Sequence, residues 1–318
     1  MSLRVVRMWA YAGLMLALLA GSMLLFWGGP EAYAARSLRE LWNLGHILYF
    51  SLLTLSFSYW GPLRRLAHPW QWLIMIALAL GWGVSIELLQ AGSDRISDLM
   101  DVSRDLCGSL IMLAFHPVYL GSARVLLRHL LRLLVIGYLI FHLLPFGAAV
   151  MDEMIARAQF PLLSNMSTPF ELQRWDGNAS RDIVSGFAGR SGSQMKIGLT
   201  TARYSGVGLK YFPADWTGYR YVVLDLYSGY EDVLEITVRI HDAIHQTRKP
   251  AYAYNDRFNR RYQLLQGWNQ IRIDLDEVAA APAGREMDLT QIADISFFAS
   301  ALKRTKTLYL DQVYLLPQ

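Results

Sequence analysis

The sequence predicts an α-helical membrane bundle of about five transmembrane helices followed by an all-β jelly-roll sandwich, and three observations carry that prediction. Of the 318 residues 53% are hydrophobic, too many for one ordinary water-soluble domain. Long apolar runs fill the chain up to about residue 150 and then stop. Beyond that point apolar and polar residues alternate between turns rich in Gly, Asp, Asn and Pro, the pattern of half-buried strands. Two solvents are implied, lipid for the first half and water for the second.

Crossing ~30 Å of hydrocarbon takes about 20 apolar residues in a helix. Such runs lie at 8–27, 44–60, 70–90, 105–120 and 131–150; the second is short but is flanked by Trp42 and Trp60, a residue type that favours the membrane interface. Under this count Arg4 and Arg7, Arg64 and Arg65, and Arg124, Arg128 and Arg132 all fall on one side, which the positive-inside rule makes the cytoplasm. The expected location is therefore a bacterial inner (cytoplasmic) membrane, multi-pass, with the N-terminus cytoplasmic and the C-terminal domain periplasmic or otherwise extracytoplasmic. Ala32-Tyr33-Ala34 imitates a signal-peptidase site, but the preceding apolar run exceeds a usual signal core, so the first helix is expected to be retained. The domain reading is 1–150 membrane, 151–166 linker and 167–318 sandwich. The net charge of +4 comes from Arg clusters between apolar segments, so no nucleic-acid partner is expected. Cys107 is the only cysteine, which leaves the sandwich to be held by its own core without an intrachain disulfide.

A charge inside a membrane helix is expensive unless it is paired or solvated, so such residues are functional candidates. Here His46 opens the second span, Glu87 and Gln90 close the third, and Asp98, Asp101 and Asp105 lead into the fourth, all at the outer end in this topology. Glu87 and Gln90, and likewise Asp98, Asp101 and Asp105, are spaced to share a helix face. Arg95 sits in the turn between the two helices. The set His46, Glu87, Gln90, Arg95, Asp98, Asp101 and Asp105 suits a headgroup-binding cavity, with Arg95 offering its fork to a phosphate. In a catalytic version Glu87 or Asp101 is the acid/base and His46 the proton relay, acting on a phosphorylated isoprenoid or lipid. The same groups also suit interhelical hydrogen bonding alone, in a plain anchor that displays the sandwich. Carboxylates and His46 are ligand types for a divalent ion as well, but no close His pair or HExxH-type signature accompanies them; neither a metal nor any cofactor is expected.

The run from Glu87 to Gly108 resembles the signature of VanZ-like membrane proteins: Glu and Gln on one helix, then Arg, then Asp and Asn leading to Gly on the next, with an upstream His. Glu87, Gln90, Arg95, Asp101 and Gly108 match in type and spacing, His46 stands at the upstream position, and Asp105 replaces the usual Asn. The resemblance covers about residues 8–120. It implies a role at the cell envelope, toward glycan or lipid-linked precursors, and the founding members are associated with reduced susceptibility to glycopeptide antibiotics such as teicoplanin. It implies no particular reaction.

In the second half, strands are expected at 194–200, 206–211, 219–227, 233–241, 269–275, 293–299 and 307–315, without long intervening helices. The segments Gly267–Leu275, Asp288-Leu289 with Ile292 and Phe297-Phe298, and Leu308–Val313 resemble galactose-binding-like jelly rolls found as carbohydrate-binding modules. Tyr254, Asn255, Asp256, Arg257 and Asn259 combine an aromatic face with planar hydrogen-bonding groups, a chemistry that suits sugar rings and hydroxyls. Strand alternation also accounts for Phe258 and Tyr262 as core, with the polar residues tying a loop. His241 and His245 flank Asp242, but on a strand-to-loop stretch that spacing is no helix face and is not read as a metal pair. The expected partners are a membrane lipid or lipid-linked glycan and a polysaccharide.

Overall fold

The computed structural model describes residues 3–26, 28–30, 34–90, 98–120, 125–247 and 253–317. The chain divides into two units, Met1–Gly147 and Ala148–Gln318. Its helices are α1 (Leu3–Phe26), α2 (Arg36–Asn43), α3 (Gly45–Phe57), α4 (Gly61–Arg64), α5 (His68–Gln90), α6 (Leu99–Phe115), α7 (Pro117–Leu120) and α8 (Val125–Gln159). Among the described residues three helical stretches are long and apolar enough to cross a membrane: Met8–Phe26, His68–Gln90 and Val125–Gln159. Two of the five expected spans fall on shorter helices, α3 with 13 residues and α6 with 17. At 1.5 Å per residue these are about 20 and 26 Å long.

Local chemistry sets these lengths. Near the end of α3 the hydroxyls of Ser56 and Ser58 donate to the carbonyls of Leu53 and Leu55 (2.7 and 2.6 Å), competing with the helical ladder just before Gly61-Pro62. At the start of α6 the extended residue Asp98 caps the helix by accepting from the Met100 N–H (2.9 Å), so α6 begins at Leu99 and not at the expected 105. It stops at Phe115 because His116, preceding Pro117, is driven to an extended conformation. The apolar run expected over 131–150 belongs to a longer helix, α8, which ends before Pro161. The Ala32-Tyr33 portion of the signal-peptidase-like motif lies outside the described residues.

Helices α3 and α6 lie very close. A Cβ at Gly108 would collide with the Ile47 carbonyl oxygen, so only glycine permits this approach. Ser51 then donates to the Gly108 carbonyl (3.0 Å) and Thr54 to Ser109 (3.0 Å), satisfying buried hydroxyls across the contact.

In the second unit strands β1 (Leu162–Ser164), β2 (Trp175–Gly177), β3 (Ser180–Ser185), β4 (Ser193–Leu199), β5 (Tyr204–Leu209), β6 (Tyr219–Ser228), β7 (Leu234–Asp242), β8 (Phe258–Leu264), β9 (Gly267–Asp274), β10 (Ile292–Ser300) and β11 (Lys306–Pro317) form two antiparallel sheets. One runs β3-β4-β11-β6-β9, with β1 beside β11; the other runs β2-β5-β10-β7-β8. Short helices α9 (Ile244–Thr247) and α10 (Leu275–Ala279) lie in the connections. Met195, Ile197, Leu224, Leu226, Leu308 and Leu310 of the first sheet meet Val207, Ile236, Val238, Ile295 and Phe297 of the second in one buried core. The seven expected strands are present with ends shifted by a few residues. Strands β1, β2, β3 and β8 were not expected; β1 and β2 are only three residues long, and β3 and β8 are sheet edges whose polar residues interrupt the alternation.

Two buried polar arrangements secure the entrance to the sandwich. Arg174 donates from Nε and Nη2 to both oxygens of Asp152 (2.7 to 3.0 Å) and from Nη1 to the Leu163 carbonyl (3.0 Å). Glu171, fully buried, accepts from the backbone N–H groups of Asn165, Met166, Ser167 and Thr168 and from the hydroxyls of Ser164 and Ser167. Between β7 and the segment before β10, Arg285 bridges Asp242 (2.5 and 2.9 Å) and Asp256 (2.8 and 3.1 Å). Burial pushes Asp242 up, but Arg285 and the N–H groups of Asp288 and His245 hold its carboxyl below the ordinary range. Burial pulls His241 down to about 4, against the weaker opposite pull of Asp294.

Two outcomes follow. Asp152→Ala strands the buried Arg174 guanidinium and is expected to destabilise the sandwich by about 3–5 kcal/mol, read from hydrogen exchange of β6 and β11 amides in the full-length protein; a loss below about 1 kcal/mol would contradict the buried pairing. Folded His241 takes up its proton only near pH 4 while the unfolded chain does so near 6.5, so the unfolded state binds more protons in that window. Stability is therefore highest above pH 6.5 and falls by up to about 3 kcal/mol on acidification toward pH 4. His241→Gln is expected to flatten this dependence in exchange of the β7 and β10 amides.

Candidate functional site

Two polar sites emerge, one in each unit. In the first unit the close α3–α6 contact sets His46 against Asp105, with Nδ1 donating to Oδ1 (2.8 Å) and Nε2 3.8 Å from Asp101. Arg104 is ion-paired with Asp101 one turn earlier on α6 and lies 3.7 Å from Asp98. Glu87 accepts from the Asp98 N–H (2.7 Å), and Gln90 donates to the Leu25 carbonyl at the end of α1 (2.8 Å). His46, Glu87, Gln90, Arg104 and Asp105 are all buried. Glu87 Oε1, Asp105 Oδ2 and Arg104 Nε are buried without hydrogen-bond partners among the described residues. Such groups are costly in an apolar setting, which makes this end of the bundle a place for polar atoms not supplied by the cluster itself.

The structure thus brings His46, Glu87, Gln90, Asp98, Asp101 and Asp105 together, while Arg95 lies outside the described residues. Arg104 was not anticipated as a member, although its i, i+3 spacing from Asp101 was the available signal. A second unanticipated group joins α6 to α8: Tyr138 donates to the Ser103 carbonyl (3.0 Å), and Ser103 Oγ lies 3.2 Å from His142 Nε2. Tyr138 and His142, four residues apart, share one face of α8. Among the described residues no group of three or more His, Cys, Asp or Glu side chains is arranged to hold a metal ion.

The second site is a groove of about 580 Å³ on the face of the β2-β5-β10-β7-β8 sheet turned away from the core. Antiparallel register lines up Asp176, Gly208, Ser296, Arg239 and Asn259 as direct cross-strand neighbours. A second row runs Gly206, Phe298, Thr237 and Arg261. Because side chains alternate, Val207, Phe297 and Val238 between these rows point into the core. The glycines of β5 keep the floor low: a Cβ at Gly206 would strike Phe297 and Phe298, and one at Gly208 would lie 3.0 Å from Asp294. Tyr204 packs edge-on against Phe298 at one wall, and Tyr254, 70% exposed, stands at another.

Among the described residues four polar atoms of the groove are buried with no protein partner: Arg239 Nε, Arg257 Nε, Asn259 Oδ1 and Ser296 Oγ. Asn259 spends its amide on the Tyr254 carbonyl (3.0 Å), leaving its oxygen free to accept. Burial, and then the nearby charge of Arg239, lower the Arg257 guanidinium from its ordinary value. Of the five residues anticipated for glycan contact, Tyr254, Arg257 and Asn259 line the groove. Asp256 turns inward to Arg285 and His245, and Asn255 is tied through its carbonyl to the Ala283 N–H (2.8 Å). Other lining residues, among them Asp176, Asn178, Tyr204, Arg239, Ser296 and Phe298, come from segments distant in sequence and carry no local signature.

No family model matches the chain, and no curated protein matches it either. The C-terminal sandwich resembles carbohydrate-binding modules among solved structures. The family 11 module from Clostridium thermocellum in complex with a beta-1,3-1,4-mixed-linked tetrasaccharide is 18% identical, with a TM-score of 0.38, covering 49% of this chain and 94% of that one. An exo-beta-agarase is 15% identical, with a TM-score of 0.37, covering 49% of this chain and 24% of that one. The CBM22-1–GH10 modules of Clostridium thermocellum xylanase 10B, complexed with xylohexaose, are 9% identical, with a TM-score of 0.34, covering 48% and 28%.

Proposed function

We propose that this is a multi-pass envelope membrane protein that holds a polysaccharide in the groove of its extracytoplasmic sandwich. The observation that carries the reading is the convergence of Arg239 Nε, Arg257 Nε, Asn259 Oδ1 and Ser296 Oγ, all unpartnered, between Tyr204, Phe298 and Tyr254. Donors and acceptors fixed on rigid strands match sugar hydroxyls, and the aromatic faces match sugar C–H surfaces. A volume of about 580 Å³ suits a few sugar units, and an open groove admits a chain that continues past both ends.

The membrane reading rests on the three apolar helices, with α3 and α6 added as shorter spans to make five. On this topology the N-terminus is cytoplasmic in the inner membrane and the cluster of buried His46, Glu87, Arg104 and Asp105 with half-buried Asp101 engages the headgroup of a lipid or lipid-linked glycan. The VanZ-like reading is supported by the meeting of His46, Glu87, Gln90 and Asp101 at one end of the bundle and by the demand for glycine at position 108. A link to glycopeptide resistance or to exopolysaccharide and envelope biogenesis belongs to the same proposal.

Full-length protein in lipid nanodiscs, assayed against mixed-linked β-glucan, xylan, agarose and pectic polymers, is expected to bind at least one. Arg239→Ala or Tyr254→Ala should weaken that binding by about tenfold or more, the loss of a charged hydrogen bond or a stacking face. Failure to bind any polymer would contradict the glycan reading. A reporter enzyme fused after residue 160 is expected to be active only outside the cytoplasm; activity confined to the cytoplasm would overturn the topology.

A further inference from the structure

The charged residues around the groove are almost all matched. Lys210 pairs with Asp176 (2.5 Å), Arg239 with Asp294 (3.4 Å), Arg260 with Glu277, and Arg261 with Glu235 (3.4 Å). Among the described residues Arg257 is the groove cation without a carboxylate partner, and its Nε lacks any hydrogen-bond acceptor. The adjoining residues 248–252 contain Arg248 and Lys249 but no acid that would supply one. Arg257 faces the like charge of Arg239, which outweighs the opposite pulls of Tyr254 and Asp294, and burial makes water a poorer substitute for a counter-ion.

The groove also has a direction. Asp294 and Asp176 approach the space above Gly208 on the β5 side, at 3.0 and 3.3 Å from where a Cβ would stand. Arg239, Arg257 and Arg261 lie on the β7–β8 side. Asp176 and Asp294 are matched by Lys210 and Arg239, so the positive charge left without a carboxylate is that of Arg257 on the β7–β8 side.

We propose that the groove takes an acidic polysaccharide, with a carboxylate or sulfate substituent seated between Arg257 and Arg239 on the β7–β8 side. This rests on the glycan reading above and adds the chemical class of the polymer. An anionic group there gives Arg257 the acceptor it lacks, separates the two guanidinium charges and accepts from either fork. The uncharged remainder of the chain lies over Ser296 and Phe298 toward β5.

The test compares polygalacturonate with its fully methyl-esterified, neutral form, alongside a sulfated carrageenan and neutral mixed-linked β-glucan, on the full-length protein in nanodiscs. The free acid is expected to bind about tenfold tighter than its ester at low salt, with the advantage shrinking between about 0.05 and 0.5 M salt. Arg257→Gln should erase that advantage, so that the free acid binds no better than the ester to the same variant, and Arg257→Lys should keep part of it. Carrageenan binding ahead of polygalacturonate assigns the substituent as sulfate, and the reverse order assigns carboxylate; either supports the proposal. Equal binding of acid and ester, or an Arg257→Gln protein that still prefers the acid, overturns it. Binding of neutral β-glucan alone overturns the acidic preference and leaves the glycan reading standing, whereas binding of no polymer overturns both.

Discussion

The pairing register of β5, β10, β7 and β8 is the constraint on which the groove depends. It sets Gly208, Ser296, Arg239 and Asn259 side by side on one face and sends Val207, Phe297 and Val238 to the other. A slip of one residue along β10 would bury Ser296 and Phe298 against the core and expose Phe297 to water, so core packing enforces the order of the polar row. The register thus couples stability to function: the apolar halves of the same strands hold the sandwich, and the polar halves present the site. The glycines of β5 complete the arrangement, because their backbone is the floor between Asp176 on one neighbouring strand and Ser296 on the other.

A comparable economy operates in the helical unit. Glycine at 108 lets α3 and α6 approach until the hydroxyls of Ser51 and Thr54 find partners across the contact. The same approach brings His46 onto Asp105 across the contact. Burying this many ionisable groups opposes folding unless they are paired, and the cluster is paired incompletely, with Glu87 Oε1, Asp105 Oδ2 and Arg104 Nε left over. Interhelical adhesion alone would be served better by fewer charges with every atom satisfied.

Much of the architecture was legible in the residues. The split between apolar runs and alternating segments separated helices from sheets, and the central strands were readable because both of their neighbours demand strict alternation. Edge strands β3 and β8 were hidden: in β8, Asn259, Arg260 and Arg261 occupy one run because an edge residue facing water or the groove need not be apolar. Helix ends were misjudged where side chains intervene, as with the Asp98 cap that starts α6 early. For the sites, Tyr254, Arg257 and Asn259 were visible as one cluster, yet their partners Arg239, Ser296 and Asp176 become neighbours only through sheet pairing. Asp256 shows the opposite case, a polar residue next to the groove in sequence but taken by Arg285 in space.

The most direct test of the central claim is hydrogen exchange of the full-length protein in nanodiscs, with and without a saturating polysaccharide that it retains. The account predicts added protection confined to the peptides of β5, β7, β8 and β10, where backbone and side chains form the groove. Protection appearing instead on β3, β4, β6, β9 and β11 would place the ligand on the opposite sheet and contradict the account.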